Sequence, residues 1–449
     1  MQCPFVRKCV SLIVACAAAC LSSRAETSVR AVDPGVRPGA ASAGMGVAGV
    51  YAQYFANTRS AFQQVHSIAG DIESGSGLGP RFNGTSCGGC HAWPAPGGSS
   101  PSQNPQLEMA KAHAARNAIP DFLKPDGPVL AVRLKTKVGS TEAGEVLPLF
   151  TVNGRTDAYT CAVEPPDFSD TANLSFRIPT PVFGAGLIDN IPDPVILANR
   201  MAQAAQKLKL GLGGEPNMDS AGAIGKFGWK AQHHSLMAFT GDAYRTEMGV
   251  LNQTSKYQRE SLSTPCSGLY EAAHDDPNYA PSYDQSGQAP VFLFTEFMRF
   301  LRPPIPVQQF TGATAQSISN GRRVFDRVGC ALCHTPSLRT GNESDLSTLN
   351  RRDAALYSDL LLHHMGPKLA DGISQGHAGP DSFRTAPLWG IGQRVFFLHD
   401  GRTTDLLVAI QDHASDGGEF HSEADAVIDG FHALSPAEQQ DLVNFLRSL

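Results

Sequence analysis

Apolar residues recur every three or four positions in several parts of the chain, the spacing that places them on one face of an α-helix. The pattern predicts a helix within 45–72, a helix directly before Cys330 and a helix at the C-terminus. A further helix is predicted over 289–301, where Pro303 and Pro304 prevent its continuation. The apolar faces of the first three consist of Tyr51, Phe55, Phe62 and Val65; Ala315, Ile318, Phe325 and Val328; and Leu442, Phe445, Leu446 and Leu449.

Local signals refine this prediction. Ser435 to Glu438 reads Ser-Pro-Ala-Glu, a capping box with proline at the first helical position, which starts the C-terminal helix. Gly321 leaves room for another helix to approach closely. Short strands are predicted over 129–134 and 146–152, where β-formers cluster. We therefore expect a mainly α-helical protein with a loop-rich insertion that carries a few short strands.

The first 25 residues have the organisation of a secretory signal peptide. Arg7 and Lys8 precede an apolar run from Cys9 to Leu21, which is shorter than the roughly 20 residues that span a bilayer. Small residues at Ser23 and Ala25 follow, as at a signal-peptidase site. We expect an exported, periplasmic protein without a transmembrane span in its mature form. The alternatives are a membrane anchor and, since Cys16 and Cys20 follow small residues, a lipoprotein.

Composition sets the broad class. The chain has 449 residues, of which 42% are hydrophobic and 17% charged, enough for a substantial core and for two or three domains. The 44 glycines and 31 prolines predict many loops. The net charge is −6, with no basic run, which argues against a nucleic-acid partner.

Two cysteine-histidine motifs carry the predicted chemistry. Six of the ten cysteines lie outside the signal peptide, and four of those six form two C-x-x-C-H motifs. This spacing suits covalent attachment of a c-type haem, because the two thiols can add to the vinyl groups while the adjacent histidine ligates the iron. Two copies in an exported chain predict two covalently bound haems. The motif residues are Cys87, Cys90 and His91, and Cys330, Cys333 and His334.

Two other readings of the motifs stay open at this stage. Two C-x-x-C pairs could form one zinc site with cysteine at all four ligand positions. Each could instead be a thioredoxin-like redox pair, although no βαβ pattern surrounds either. Both readings leave the histidine after each motif unexplained.

The helices around the second motif predict a domain boundary. A helix before the motif and a helix at the chain end are the pair that packs together in a cytochrome c domain. We therefore predict a C-terminal cytochrome c-type domain over 312–449. An N-terminal cytochrome c-type domain over 40–311 would hold the first motif and a large insertion.

Seven sequence runs resemble the di-haem oxidoreductases, relatives of the bacterial di-haem cytochrome c peroxidases. The resemblance covers nearly all of the mature chain and implies a periplasmic, mainly helical enzyme with one haem in each cytochrome domain. The runs are 82–91, 176–184, 225–232, 247–250, 361–366, 384–390 and 398–402.

The chain departs from the peroxidases at Leu398. The peroxidases carry a methionine at the matching position, and this methionine is the distal ligand of the C-terminal haem. Leucine cannot bind iron, so either another side chain takes the sixth position or the site is open. Met248 and His363 are the first candidates for distal ligands; His364, Met365 and His399 are further ones.

The resemblance also suggests residues for peroxide chemistry. Reduction of peroxide needs a group that moves a proton and a positive group that stabilises the leaving hydroxide. Glu247 is the acid-base candidate, and Arg177 and Arg245 are the positive ones. Trp93 and Trp229 could lie between the haems, or could simply be buried aromatic packing.

These observations favour an exported di-haem oxidoreductase that reduces hydrogen peroxide or a related oxidant. A small electron-donor protein, a cytochrome or a cupredoxin, would supply the electrons. The alternatives are a pure electron-carrier cytochrome and a di-haem enzyme that oxidises an organic or protein substrate. The two remaining cysteines, Cys161 and Cys266, are expected to form a disulfide in an oxidising compartment, unless both are free thiols.

Overall fold

Helices make up most of the regular structure. A computed structural model describes residues 30–37, 44–45, 50–67, 77–79, 81–112, 119–138, 142–151, 166–254, 289–415, 417 and 420–449. The helices are α1 (Val50–Gln63), α2 (Cys87–Cys90), α3 (Gln106–Ala112), α4 (Ala185–Asp189), α5 (Asp193–Lys209), α6 (Leu236–Met248), α7 (Pro290–Phe300), α8 (Ala315–Val328), α9 (Gly366–Leu369), α10 (Leu406–Gln411), α11 (Asp425–His432) and α12 (Pro436–Ser448).

The strands are short and form small antiparallel sheets. The largest described sheet has the order β3-β2-β5, with Val132 opposite both Leu147 and Phe176. The predicted mainly α class with a few short strands is confirmed. The strands are β1 (Arg81–Phe82), β2 (Ala131–Leu134), β3 (Val146–Leu147), β4 (Phe150–Thr151), β5 (Leu174–Arg177), β6 (Leu338–Arg339), β7 (Asp353–Ala354), β8 (Leu362–His364) and β9 (Ser382–Arg384).

One apolar cluster packs α1 against α7. The ring of Phe297 on α7 stacks on Phe55 with centroids 5.6 Å apart and lies 4.6 Å from Phe62. The helix predicted within 45–72 is observed over Val50–Gln63. Val65 lies beyond the end of this helix and is 62% exposed. The next residue, His66, donates its backbone N–H to the carbonyl oxygen of Thr85 and not to the helix.

A second cluster packs α8 against α12, as the sequence predicts. The rings of Phe325 and Phe445 meet edge to face at 5.4 Å. Ser317 and Asn320 both donate to the carboxylate of Asp441. Gly321 lies at the crossing, which confirms the predicted close approach, since a Cβ there would overlap the main chain of Asp441.

The segment before α1 is tied to the C-terminal helix. Asp33 accepts from Arg447 at 2.7 and 2.5 Å, and Arg37 donates to the backbone carbonyl of Arg447 at 2.8 Å. From Ala31 onward the described chain forms one contact unit. The boundaries 40–311 and 312–449 stay a prediction. The predicted signal peptide and the cysteines Cys161 and Cys266 lie outside the described residues.

Among the residues that the structure describes, every helix is too short or too polar to span a bilayer.

The capping box at Ser435 allows a direct stability test. The Ser435 hydroxyl accepts from the Glu438 backbone N–H, and the Glu438 carboxylate accepts from the Ser435 N–H, as predicted. Replacing Ser435 with alanine should lower the free energy of unfolding by about 1 kcal/mol, because a helix N–H loses its partner. Urea unfolding of S435A and of S347A, an exposed serine whose side chain caps no helix, measures this. Equal losses in both variants would contradict the assignment.

Candidate functional site

The first C-x-x-C-H motif forms a single helical turn. Cys87 to Cys90 is that turn, and His91 follows as its cap. The His91 Nδ1 donates to the carbonyl oxygen of Gly98 at 3.0 Å, so the lone pair of the neutral imidazole is on Nε2. Phe62 of α1 lies beside the imidazole, 6.1 Å between ring centres.

This motif lines a cavity of about 1160 Å³. This volume includes space that is open to solvent. Its walls are mostly apolar and come from α1, β2, β5, α6 and α7. We call it the first cavity.

The second motif has the same construction. Cys330 to Leu332 form a short 3-10 turn directly after α8. The His334 Nδ1 donates to the carbonyl oxygen of Tyr357 at 3.0 Å, and Phe325 of α8 lies 6.4 Å from the ring. The motif lines a second cavity, of about 1380 Å³, whose walls include α8, α10, α11 and α12.

Cys87 and Cys330 have the properties of neutral thiols. Burial raises the pKa of Cys87 and of Cys330 to about 12. A reactive redox thiol requires the opposite shift. The motifs also line different cavities, so their four cysteines do not meet in one zinc site. Within the described chain, no group of three or more His, Cys, Asp or Glu side chains could hold a free metal ion.

Two buried arginines indicate that the second cavity suits an anionic group. Arg384 and Arg394 line it, each is 7% exposed, and burial lowers the pKa of both to about 10. Within the described chain, Arg384 donates only to backbone carbonyls, and the Nε of Arg394 has no partner. A buried unpaired guanidinium is costly, which calls for an anionic group in the cavity.

The first cavity shows the same deficit. The Nε of Arg133 is buried there without a partner in the described chain. Two thiols, one imidazole with its lone pair on Nε2, apolar walls and an unmatched guanidinium nitrogen fit a haem, with its vinyl groups, iron and acidic substituents.

The structure brings three of the predicted distal and catalytic residues to the first cavity. Glu247, Met248 and Arg177 all line it. The Glu247 carboxylate accepts from the Asn83 side chain at 2.8 Å, and Met248 is 2% exposed. Arg245 does not line either cavity; it donates to Asp242, a residue of the cavity wall, at 2.8 Å.

Arg177 belongs to a buried charge triad with Asp371 and Lys230. Arg177 donates to Asp371 at 2.5 Å, and Lys230 lies 2.9 Å from the other oxygen of that carboxylate. Burial lowers the pKa of Arg177 to about 10 and that of Lys230 to about 8. We call these three residues the Asp371 triad.

His363 lines the second cavity, but both of its ring nitrogens are engaged. Nδ1 contacts Glu423 at 2.6 Å and Nε2 contacts Asp359 at 3.0 Å. Burial acts to lower the pKa of His363, but the charge of Asp359 outweighs it and raises the pKa well above the ordinary value. A doubly protonated imidazole has no lone pair for iron.

The other predicted ligands of this cavity are arranged differently. His364 is exposed and bonds to Asp381, whereas Met365 and His399 line the cavity. The His399 ring stacks on Phe383 at 4.4 Å. Leu398 lines the cavity with a φ of 66°, a backbone conformation that leucine rarely adopts.

Sequence reasoning missed His413, which follows α10 and lines the second cavity. The ring centres of His413 and His334 are 6.5 Å apart. Arg384, Arg394 and Asp371 were also missed. Arg384 lies in a run that resembles the family, the one signal that could have found it; the others stand in no motif.

Trp229 is shared by the two cavities. It lines both, and its Nε1 donates to the carbonyl oxygen of Ile178 at 2.9 Å, which fixes the indole. Trp93 lines neither cavity and is 39% exposed.

Several solved structures are similar to this chain, and two of them are described here. One is hydrazine synthase of Kuenenia stuttgartiensis, with 18% identity and a TM-score of 0.24, covering 36% of this chain and 55% of that one. The other is a MauG-like protein associated with microbial copper homeostasis, with 14% identity and a TM-score of 0.29, covering 65% of this chain and 95% of that one.

Comparison with curated protein sequences gave no match. A family model, by contrast, matches residues 135–449, which is more than half of the chain. Its description is "Di-haem oxidoreductase, putative peroxidase". The matched range includes the second motif and lies after the first. The chain therefore belongs to the di-haem oxidoreductase family.

Proposed function

We propose that the protein is an exported di-haem c-type oxidoreductase that passes electrons between two covalently bound haems to reduce hydrogen peroxide or a related oxidant. The observation that carries this proposal is the pair of cavities, each lined by one C-x-x-C-H motif and both lined by Trp229. Family membership supports the redox class.

The two motifs would hold the haems. Cys87 and Cys90 would attach one, with His91 as its axial ligand; Cys330, Cys333 and His334 would hold the other. The guanidinium groups of Arg384 and Arg394 would pair with acidic substituents in the second cavity. Haem bound in this way supplies one-electron chemistry and, at an open coordination position, a binding site for peroxide.

The residues suited to peroxide chemistry lie at the first cavity. Reduction of one peroxide to two waters consumes two electrons and two protons. Glu247 would carry a proton to the departing oxygen. The hydrogen bond from Asn83 would hold the Glu247 carboxylate in place. Arg177 would supply positive charge, and Met248 lies on the same wall. Arg245 would act on this cavity through Asp242.

The electrons would come from a small donor protein, a cytochrome or a cupredoxin, in the periplasm. Removal of the signal peptide takes away three basic residues and no acidic ones, so the mature chain is more acidic than the precursor. Such a surface favours association with a basic partner. Association rates that fall with rising ionic strength would support this partner class.

Haem loading tests the first part of the proposal. The full chain, produced in a host competent in cytochrome maturation, should carry two haems by mass and by haemochrome assay. The double variant C330A/C333A should carry one haem, and so should its counterpart C87A/C90A. A colourless wild-type protein, or a double variant that retains both haems, would overturn the assignment.

Peroxide turnover tests the second part. Adding peroxide to the half-reduced protein should change the Soret band in stopped flow, with donor oxidation in the steady state. E247Q keeps an acceptor for Asn83 but cannot carry a proton, so turnover should fall about 100-fold. E108Q, at an exposed glutamate of α3, is the control. No spectral change with peroxide would overturn the peroxidase assignment, and unchanged turnover in E247Q would overturn the role of Glu247.

A further inference from the structure

His413 and His334 face the same cavity with matching hydrogen bonds. The His413 Nδ1 lies 2.7 Å from the carbonyl oxygen of Ala409. The His334 Nδ1 lies 3.0 Å from the carbonyl oxygen of Tyr357. A carbonyl only accepts, so the proton of each neutral imidazole is on Nδ1 and the lone pair is on Nε2. This second hydrogen bond is what orients a histidine that binds a metal.

The spacing of the two rings fits one iron between them. Their centres are 6.5 Å apart. A ligating imidazole nitrogen lies about 2 Å from a metal ion, and the ring centre is roughly 1 Å further out. Two imidazoles on opposite sides of one metal therefore have centres roughly 6–6.5 Å apart.

The other side chains of this cavity are less suited to the same position. His363 has carboxylates at both nitrogens. His399 stacks on Phe383, and no side-chain hydrogen bond orients its ring within the described chain. Leu398 has no donor atom. Met365 lines the cavity as a partly buried member of an apolar cluster.

We infer that His413 is the second axial ligand of the haem held by Cys330, Cys333 and His334. The inference rests on the proposed function, because it requires that haem. It explains why leucine can stand at position 398: His413, just after α10, provides the sixth ligand of the iron instead. A second imidazole gives a lower reduction potential than a thioether, and it closes this iron to small ligands. Peroxide would then react at the first cavity.

The test compares wild type and H413A, as full-length proteins loaded with haem, in their haem spin state and carbon monoxide binding. Electron paramagnetic resonance of wild type should show a bis-histidine low-spin haem. In H413A one of the two haems should become high-spin, the reduced protein should bind one more equivalent of carbon monoxide, and added imidazole should restore the low-spin signal. H399A and H432A, the latter at an exposed position of α11, should leave this haem low-spin.

The variant H413M is a second test, which applies if H413A does not accumulate as folded protein. A methionine there should give the charge-transfer band of methionine-ligated ferric haem and a higher potential for one haem. Two low-spin haems with unchanged spectra in H413A or H413M would overturn the inference, as would conversion in H399A. Wild-type protein without haem would instead overturn the proposed function, so the two failures are distinguishable.

Discussion

Replacing Asp371 with asparagine is expected to lower the free energy of unfolding by about 3–5 kcal/mol, because the change leaves buried positive charge without a partner. Asp371 is the carboxylate of the triad, and its side chain is fully buried. Lys230, with a pKa of about 8, can release its proton when the carboxylate is gone. Arg177 keeps its charge, because its pKa is about 10. Urea unfolding of the loaded protein at pH 7 measures the loss.

The exposed pair of Arg339 and Asp353 is the matched control. These side chains are 2.9 Å apart and more than half exposed, so D353N should cost less than about 1 kcal/mol. A loss in D371N no larger than that in D353N would show that the triad does not stabilise the fold.

The effect of D371N should depend on pH in a defined direction. Burial acts to raise the pKa of Asp371, but Arg177 and Lys230 outweigh it, so the pKa is lowered. A carboxyl with a lowered folded pKa contributes stability above its unfolded pKa, about 3.9, and loses that contribution as the pH falls through the folded value. Wild type and D371N should therefore converge in stability below about pH 4. A constant difference from pH 7 to pH 3 would contradict this account.

Features determined by neighbouring residues were predicted from the sequence. The capping box at Ser435 spans four residues, and each haem motif spans five, so the spacing alone identifies them. Helices α7 and α8 were likewise predicted from apolar periodicity and are observed over Pro290–Phe300 and Ala315–Val328. Such patterns are local because the backbone geometry that produces them repeats within one or two turns.

Features that depend on tertiary contacts were not predicted. Asp371 lies 194 residues from Arg177, and no local pattern links them. His363 stands in a run that resembles the family, yet only the fold shows that Asp359 and Glu423 occupy both of its nitrogens. His413 is one histidine among fourteen, and only the fold shows that its ring lies near that of His334.

Gly321 was predicted to permit close helix packing, and replacing it with alanine should lower the free energy of unfolding by about 3 kcal/mol. A Cβ at this position would overlap the Asp441 carbonyl oxygen and lie 2.5 Å from its carbon and 2.7 Å from the Phe445 Cβ. Main-chain atoms cannot rotate away, so α8 and α12 must separate. Gly430 of α11 is the control, since a Cβ there meets only Val328 at 3.4 Å. G430A should gain roughly 0.5–1 kcal/mol, because alanine favours the helix.

The same substitution should act on the second cavity. Phe325 of α8 and Leu442 and Leu446 of α12 form part of its wall, so separating the helices removes apolar contacts from whatever the cavity holds. In the loaded protein, G321A should therefore perturb the spectrum of one haem and leave the other unchanged, whereas G430A should change neither. Thermal unfolding followed at the Soret band and by far-ultraviolet circular dichroism checks both parts. Equal stability of G321A and G430A would show that the helix crossing tolerates a Cβ, and a perturbation of both haems would show that the two cavities do not respond separately.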